Sequence, residues 1–196
     1  MNATNALPPQ PESGRVVWIT GLSGAGKSTL SRRVAERFRE LKHATLLLDG
    51  DAMREVVSDP HVAHDRESRL THAMRICRMA RLASDQGLTV VVATMSLFKE
   101  VYEWNRQHLY GYCEVFLQVD LETLRRRDAR GLYSKADRGE ARHVVGIHVP
   151  YDEPQSPHLT LRNEGSQRDL ESLVHPVIEA ALRSPLLSQT ETQVHA

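Results

Sequence analysis

The chain has 196 residues, with 25 Lys plus Arg, 25 Asp plus Glu and a formal net charge of zero. That length suits one domain with a real core, and the charge balance excludes a bulk electrostatic pull toward nucleic acid or membrane. No apolar run is long enough to span a bilayer, so no membrane partner is expected.

Residues 1–14 are rich in Asn, Ala and Pro, with no basic start and no apolar core. They read as a disordered tail and not as a signal peptide, and 185–196 read as a second tail. The expected domain runs from 15 to 184. It opens with Arg15–Thr20, a short β-branched apolar run that predicts a buried strand.

Gly21, Leu22, Ser23, Gly24, Ala25, Gly26, Lys27, Ser28 and Thr29 follow it. The first eight fit the phosphate-binding pattern G-x-x-x-x-G-K-[ST] with nothing missing. Glycines let the backbone turn tightly and aim a row of N–H groups at a triphosphate. Lys27 reaches the β- and γ-phosphates, and the Ser28 hydroxyl ligates Mg²⁺. ATP and Mg²⁺ are therefore expected. Leu30, Val34, Phe38 and Leu41 then recur at helical spacing, which predicts a helix near 28–42.

Ala44–Asp49 predicts a second strand, closed by Asp49-Gly50-Asp51. Two carboxylates with a glycine between them suit Mg²⁺ binding through water, or acceptance of a proton from a substrate hydroxyl. A helix is expected near 67–86 and a third strand over Leu88–Thr94. That strand ends in Ala93-Thr94-Met95-Ser96 without an aspartate, so Asp49 or Asp51 must serve the metal. Further helices near 99–109, 121–128 and 168–183 alternate with strands over Cys113–Asp120 and His158–Arg162. The alternation predicts an α/β three-layer sandwich of the P-loop NTPase type, a parallel sheet with helices on both faces. Ligands then bind at the carboxyl ends of the strands.

Residues 129–157 form a long, charge-rich connection with few core positions. Over a nucleotide site it would act as a lid whose cations close on phosphates and exclude water. Cys77 and Cys113 lie far apart and suit free thiols in a reducing cytoplasm. His61 and His64 lack an obvious third ligand and read as loop or surface. Asn-Lys-x-Asp is absent, which argues against a switch GTPase, and the chain is too short for a transport ATPase. Asp128-Ala-Arg-Gly131 mimics the GTPase Asp-x-x-Gly but sits beside the lid. A small-molecule kinase remains.

Three further segments make the reading specific: Leu48-Asp-Gly-Asp51, Arg127-Asp-Ala-Arg-Gly-Leu-Tyr133 and Gly146-Ile-His-Val-Pro-Tyr-Asp-Glu-Pro154. With the phosphate loop, they make the chain resemble the adenylylsulfate kinase family over roughly residues 15–162. The resemblance implies a P-loop fold, commonly dimeric, and transfer of a phosphate from ATP to the ribose 3′-hydroxyl of adenosine 5′-phosphosulfate. It implies Asp49 and Asp51 near Mg²⁺ and the acceptor hydroxyl, and Arg54, Arg69 and Arg75 on the acceptor nucleotide. Lys135 and Arg138 match lid cations, and Arg127 matches an arginine near the ATP base. Ser96 matches a serine described in the family as a phosphorylated intermediate. Direct in-line transfer needs only positioning and charge stabilisation, so a hydrogen bond to the acceptor phosphate is a sufficient role for it.

The departures gather on the acceptor side. Ser68-Arg69 and His72 replace the family's Asp-Arg and Asn, and Leu97-Phe98-Lys99 follows Ser96 where Pro and a basic residue are usual. The family's Phe-Thr-Gly-Ile-Asp reads Val144-Val-Gly-Ile-His148, so the first Val removes an adenine-stacking aromatic. A partner phenylalanine is missing from Ser58–Asp65. Sulfate activation is the first expectation. A kinase of cytidine 5′-diphosphoramidate, which Ala93-Thr-Met-Ser-Leu-Phe-Lys-Glu100 resembles more closely, is the alternative. A non-catalytic nucleotide-binding module is the third reading.

Overall fold

The computed structural model describes residues 14–57, 65–128, 131–165 and 167–185. The expected tails lie outside these residues except at their inner ends. Gly14 is buried and its N–H donates to the Ser84 carbonyl at 2.7 Å, while Pro185 is exposed. The His61/His64 pair also lies outside the described residues.

Five parallel strands form one sheet: β1 (Val16–Thr20), β2 (Thr45–Asp49), β3 (Thr89–Ala93), β4 (Tyr112–Gln118) and β5 (Leu159–Arg162), in the order β2-β3-β1-β4-β5. The sheet is doubly covered because β1 and β3 bury both faces and carry almost only apolar side chains. Val17 and Ile19 point into one core with Leu30, Val34 and Phe38 of α1 (Lys27–Glu40) and Val177 of α8 (Val174–Arg183). Val16 and Trp18 point into the other, with Ile76 and Ala80 of α3 (Arg66–Ser84) and Val101 of α4 (Lys99–His108). Strand periodicity thus sorts one strand's residues into two layers.

Several elements differ from the sequence expectation. A helix not expected from the sequence, α2 (Gly50–Val57), starts at Gly50, with the Asp49 carboxylate accepting from the Asp51 N–H at 2.9 Å. Gly50 serves close approach, since a Cβ there would sit 3.0 Å from Thr94 Oγ1. The helix expected over 168–183 is two, α7 (Gln167–Ser172) and α8, broken at Leu173. Pro176 explains the break: with no N–H to give Ser172, it fits only a first helical turn. The lid is also less of a loop than expected. It contains α6 (Leu132–Asp137) and buries Tyr133, Ala136, Val144 and Val145 in the α1-side core. Upstream, α5 (Leu121–Arg127) is capped by Asp120, which accepts from the Thr123 N–H at 2.7 Å.

Candidate active site

The sheet order places the β1, β2 and β3 carboxyl ends side by side, and a cavity of about 610 Å³ opens there. One end is the phosphate loop. Gly26 stands at the N-terminus of α1 with φ 100°, a left-handed conformation that side chains rarely adopt. A Cβ on it would also lie 2.8 Å from Asn163 Nδ2. Asn163 itself is buried and donates to the Ala25 carbonyl at 2.8 Å, bracing the loop from behind. Lys27 Nζ donates to the Leu22 carbonyl at 2.8 Å, curled into the loop it belongs to. Ser23, Gly24, Ser28 and Thr29 line the cavity, whereas Leu22 faces a second cavity of about 390 Å³.

Asp49 joins the loop to the second strand. Its Oδ2 accepts from Ser28 Oγ at 2.6 Å while Oδ1 caps α2 through the Asp51 N–H. The hydroxyl and carboxylates that the motif assigned to Mg²⁺ are therefore brought together. Oxygen donors fit that hard cation, while the helix N-terminus and the loop amides beside them suit the phosphates. Among the described residues there is no separate cluster of three or more His, Cys, Asp or Glu able to hold a metal.

The other end is made of side chains. Arg54 of α2 and Arg69 and His72 of α3 line it. Arg54 Nη1 is buried with no hydrogen-bond partner among the described residues, a donor that calls for an acceptor. Burial, and then the charge of Arg54, lower the Arg69 pKa. Two guanidiniums crowded in this way suit an anionic ligand. His72 is buried and pushed to a lower pKa, chiefly by desolvation. Its Nε2 lies 3.0 Å from the Gly50 carbonyl. A carbonyl only accepts, so Nε2 carries the proton and ties α3 to the Asp49–Asp51 segment. Ser96 is also in the wall, 2.8 Å from the Thr94 hydroxyl, and among the described residues no titratable base bonds it.

The segment expected as a lid lines the cavity through Leu132, Tyr133, Lys135, Val145 and Tyr151. Asp128 accepts from the Tyr133 N–H at 3.0 Å and from the Ser134 N–H and hydroxyl at 2.8 and 2.6 Å. These bonds lower its pKa and start α6, so the GTPase-like Asp128 has a structural job in the lid. Tyr133 donates its hydroxyl to the Ser23 carbonyl at 2.8 Å, seating α6 on the phosphate loop and bringing Lys135 to the cavity. Arg69 reaches the lid carbonyl of His143 at 3.2 Å. Asp152 ties the far side of the lid to the start of α4. Its N–H donates to the Leu97 carbonyl, its Oδ2 accepts from the Lys99 N–H at 3.1 Å, and its carbonyl accepts from the Tyr102 hydroxyl at 3.0 Å.

Some expected residues stay outside. Arg75 lies farther along α3 and does not line the cavity. Arg138 is engaged by Glu140, with Nε–Oε1 at 2.7 Å. Arg127 donates to the Gly165 carbonyl at 2.8 Å, in the loop ahead of α7. Val145 lines the cavity and Val144 does not, although both are buried in the α1-side core. Phe98, Arg66 and Tyr151 also line the cavity, and the motifs did not single them out.

The adenylylsulphate kinase family model matches residues 13–162. A cytidine diphosphoramidate kinase of Campylobacter jejuni is 36% identical over 165 residues, covering 84% of this chain and 94% of that protein. An adenylyl-sulfate kinase of Deinococcus deserti is 40% identical over 152 residues, covering 78% of this chain and 83% of that protein. The APS kinase of Mycobacterium tuberculosis, solved in complex with AMPPNP and APS, is 32% identical with a TM-score of 0.76, covering 86% of this chain and 99% of that chain.

Proposed function

We infer, from the premise that this chain belongs to the adenylylsulfate kinase family and is a phosphotransferase acting on a nucleotide hydroxyl, that it uses MgATP to phosphorylate a cytidine nucleotide of the diphosphoramidate type. The observation that carries the acceptor choice is the lid wall. An aliphatic Val145 faces the cavity, and buried Val144 stands where the resemblance implies an adenine-stacking aromatic. The similarity to the Campylobacter jejuni enzyme, nearly end to end for that protein, supports the same choice. Family membership argues against a non-catalytic binding module.

The roles of the residues follow from their placement. Loop N–H groups and Lys27 bind and align the donor phosphates. Ser28, Asp49 and Asp51 would hold Mg²⁺, which when bound supplies charge neutralisation at the phosphoryl group. Asp51, in the first turn of α2 and on the cavity wall, accepts the proton of the acceptor hydroxyl. Arg54 and Arg69 orient the acceptor phosphates, and Ser96 adds a hydrogen bond to them. Tyr133 and Asp152 hold the lid down, bring Lys135 to the phosphates and keep water out.

Sulfate activation is the second reading. The Mycobacterium tuberculosis complex and the Deinococcus deserti relative favour it. The homodimer implied by the resemblance is a separate expectation, read by sedimentation. The cytoplasmic setting is proposed from Cys77 and Cys113, buried free thiols pushed up by burial to about 12 and about 11. The test of the function is mass spectrometry of cytidine diphosphoramidate after incubation with enzyme, ATP and Mg²⁺. A gain of one phosphate that depends on Mg²⁺ is expected; an unmodified acceptor beside phosphorylated adenosine phosphosulfate would replace this reading with the second.

A further inference from the structure

The acceptor end of the cavity carries an aromatic ring outside the expected stacking positions. Phe98 is the N-terminal flanking residue of α4, in an extended conformation with φ −131° and ψ 133°. It is half-buried and packs against the core that holds Trp18 and Val101, so its backing is fixed. The Arg66 guanidinium lies over the ring at 5.4 Å from the centroid. Glu100 holds Arg66 there through an Nη2–Oε1 contact of 2.8 Å. Both Phe98 and Arg66 line the cavity wall that Arg54 and Arg69 share.

At 5.4 Å from the centroid the Arg66 guanidinium makes a cation–π contact with the ring, and both side chains reach the cavity. A half-exposed ring beside anion-binding arginines is a stacking surface for a nucleobase whose phosphates those arginines hold. Arg66 adds selectivity. Its guanidinium has five N–H donors in a rigid fork, and Nη2 meets the Glu100 carboxylate. Cytosine presents O2 and N3 side by side as acceptors, which the fork matches. Adenine pairs its outer ring nitrogens with an amino donor, which the fork cannot satisfy.

We propose that Phe98 and Arg66 form the acceptor-base subsite, Phe98 as the stacking surface and Arg66 as the donor that selects cytosine over adenine. The proposal rests on the cytidine-nucleotide reading above for its ligand and on the cavity wall for its residues. Glu100 is a positioning residue for Arg66 in this scheme.

The experiment is steady-state kinetics of the full chain with MgATP, offering cytidine diphosphoramidate and adenosine phosphosulfate separately. Variants are Phe98→Leu, Phe98→Tyr and Arg66→Met. Calorimetric binding of CDP and of adenosine 5′-phosphosulfate to the same proteins, with the donor site filled by AMPPNP, gives a readout independent of turnover. Phe98→Leu keeps apolar bulk and should raise the KM and Kd of the cytidine acceptor about fivefold to a hundredfold, with KM for ATP unchanged. Phe98→Tyr should restore them. Arg66→Met should cut the preference for cytidine over adenosine about tenfold or more. If wild-type protein prefers cytidine but Phe98→Leu leaves the acceptor KM and Kd unmoved, the subsite is refuted and the cytidine reading stands. If wild-type protein prefers adenosine in both assays, the cytidine reading and the selecting role of Arg66 are refuted, whatever Phe98 does. An equal rise in KM for ATP in Phe98→Leu would also overturn the subsite, because it marks a general disturbance.

Discussion

At the donor end of the cavity the working groups are backbone amides, one lysine and one hydroxyl, set by the consecutive residues Gly21–Ser28 and braced by Asn163. At the acceptor end they are side chains from α2, α3, α4 and the lid, brought together from distant parts of the chain. The donor end depends on a conformation that glycine makes possible, so its chemistry tolerates almost no change of residue. In the proposed reading the acceptor end depends on which side chains fill a wall, so residues there can change while the Gly21–Ser28 loop is kept. A family can therefore keep one donor and change its acceptor.

The sharpest break of this contrast is Lys27→Ala. It should lower kcat/KM at least about a thousandfold for every acceptor, because it removes charge from the transferring phosphoryl group. Circular dichroism and the melting temperature should stay near wild type. Arg54→Met addresses the other end. Loss of a charge-assisted contact of about 1.5–3 kcal/mol should raise acceptor KM about tenfold to a hundredfold, with KM for ATP held. A matching rise in KM for ATP would show that the two ends are not separable. Tyr133→Phe removes the lid's hydroxyl bond to the Ser23 carbonyl. About 1 kcal/mol is at stake, so kcat/KM should fall about fivefold for both substrates together, as a lid shared by both ends requires.

The smallest effect is on stability. His72 has a folded-state pKa below its ordinary 6.5, chiefly because it is desolvated. Between that lowered value and 6.5 the unfolded chain binds the proton that the folded chain refuses. Stability from this group is thus full above pH 6.5 and is lost as pH falls through the window beneath it. His72→Asn, which carries no titrating group, should flatten that part of the pH dependence of urea unfolding. Parallel curves for the two proteins from pH 8 to pH 5 would remove the assignment.

The same division governs how much the sequence revealed. The strands and the phosphate loop were legible because β-branched runs and glycine spacing act locally. Asp49 and Asp51 were legible as paired carboxylates at a strand end, but the helix that starts at Gly50 was not, because the contact of Gly50 with Thr94 comes from a distant strand end. The lid was legible as an insertion, yet α6 and its buried Tyr133 were missed because charged neighbours mask a short apolar pattern. The acceptor end was the least legible. Arg75 and Arg138 shared the family's spacing but not the cavity, and Val145 replaced Val144 in the wall. Phe98 had a signal, an aromatic just after Ser96, but its meaning depended on Arg66, which lies on a separate helix.

The decisive measurement is the ratio of kcat/KM for cytidine diphosphoramidate to that for adenosine 5′-phosphosulfate, determined on one preparation with MgATP. A ratio of about ten or more is expected if the rebuilt wall has changed the acceptor while the donor end is kept. A ratio below one would mean that the lost aromatics were replaced without a change of substrate, and would contradict the separation of the two ends.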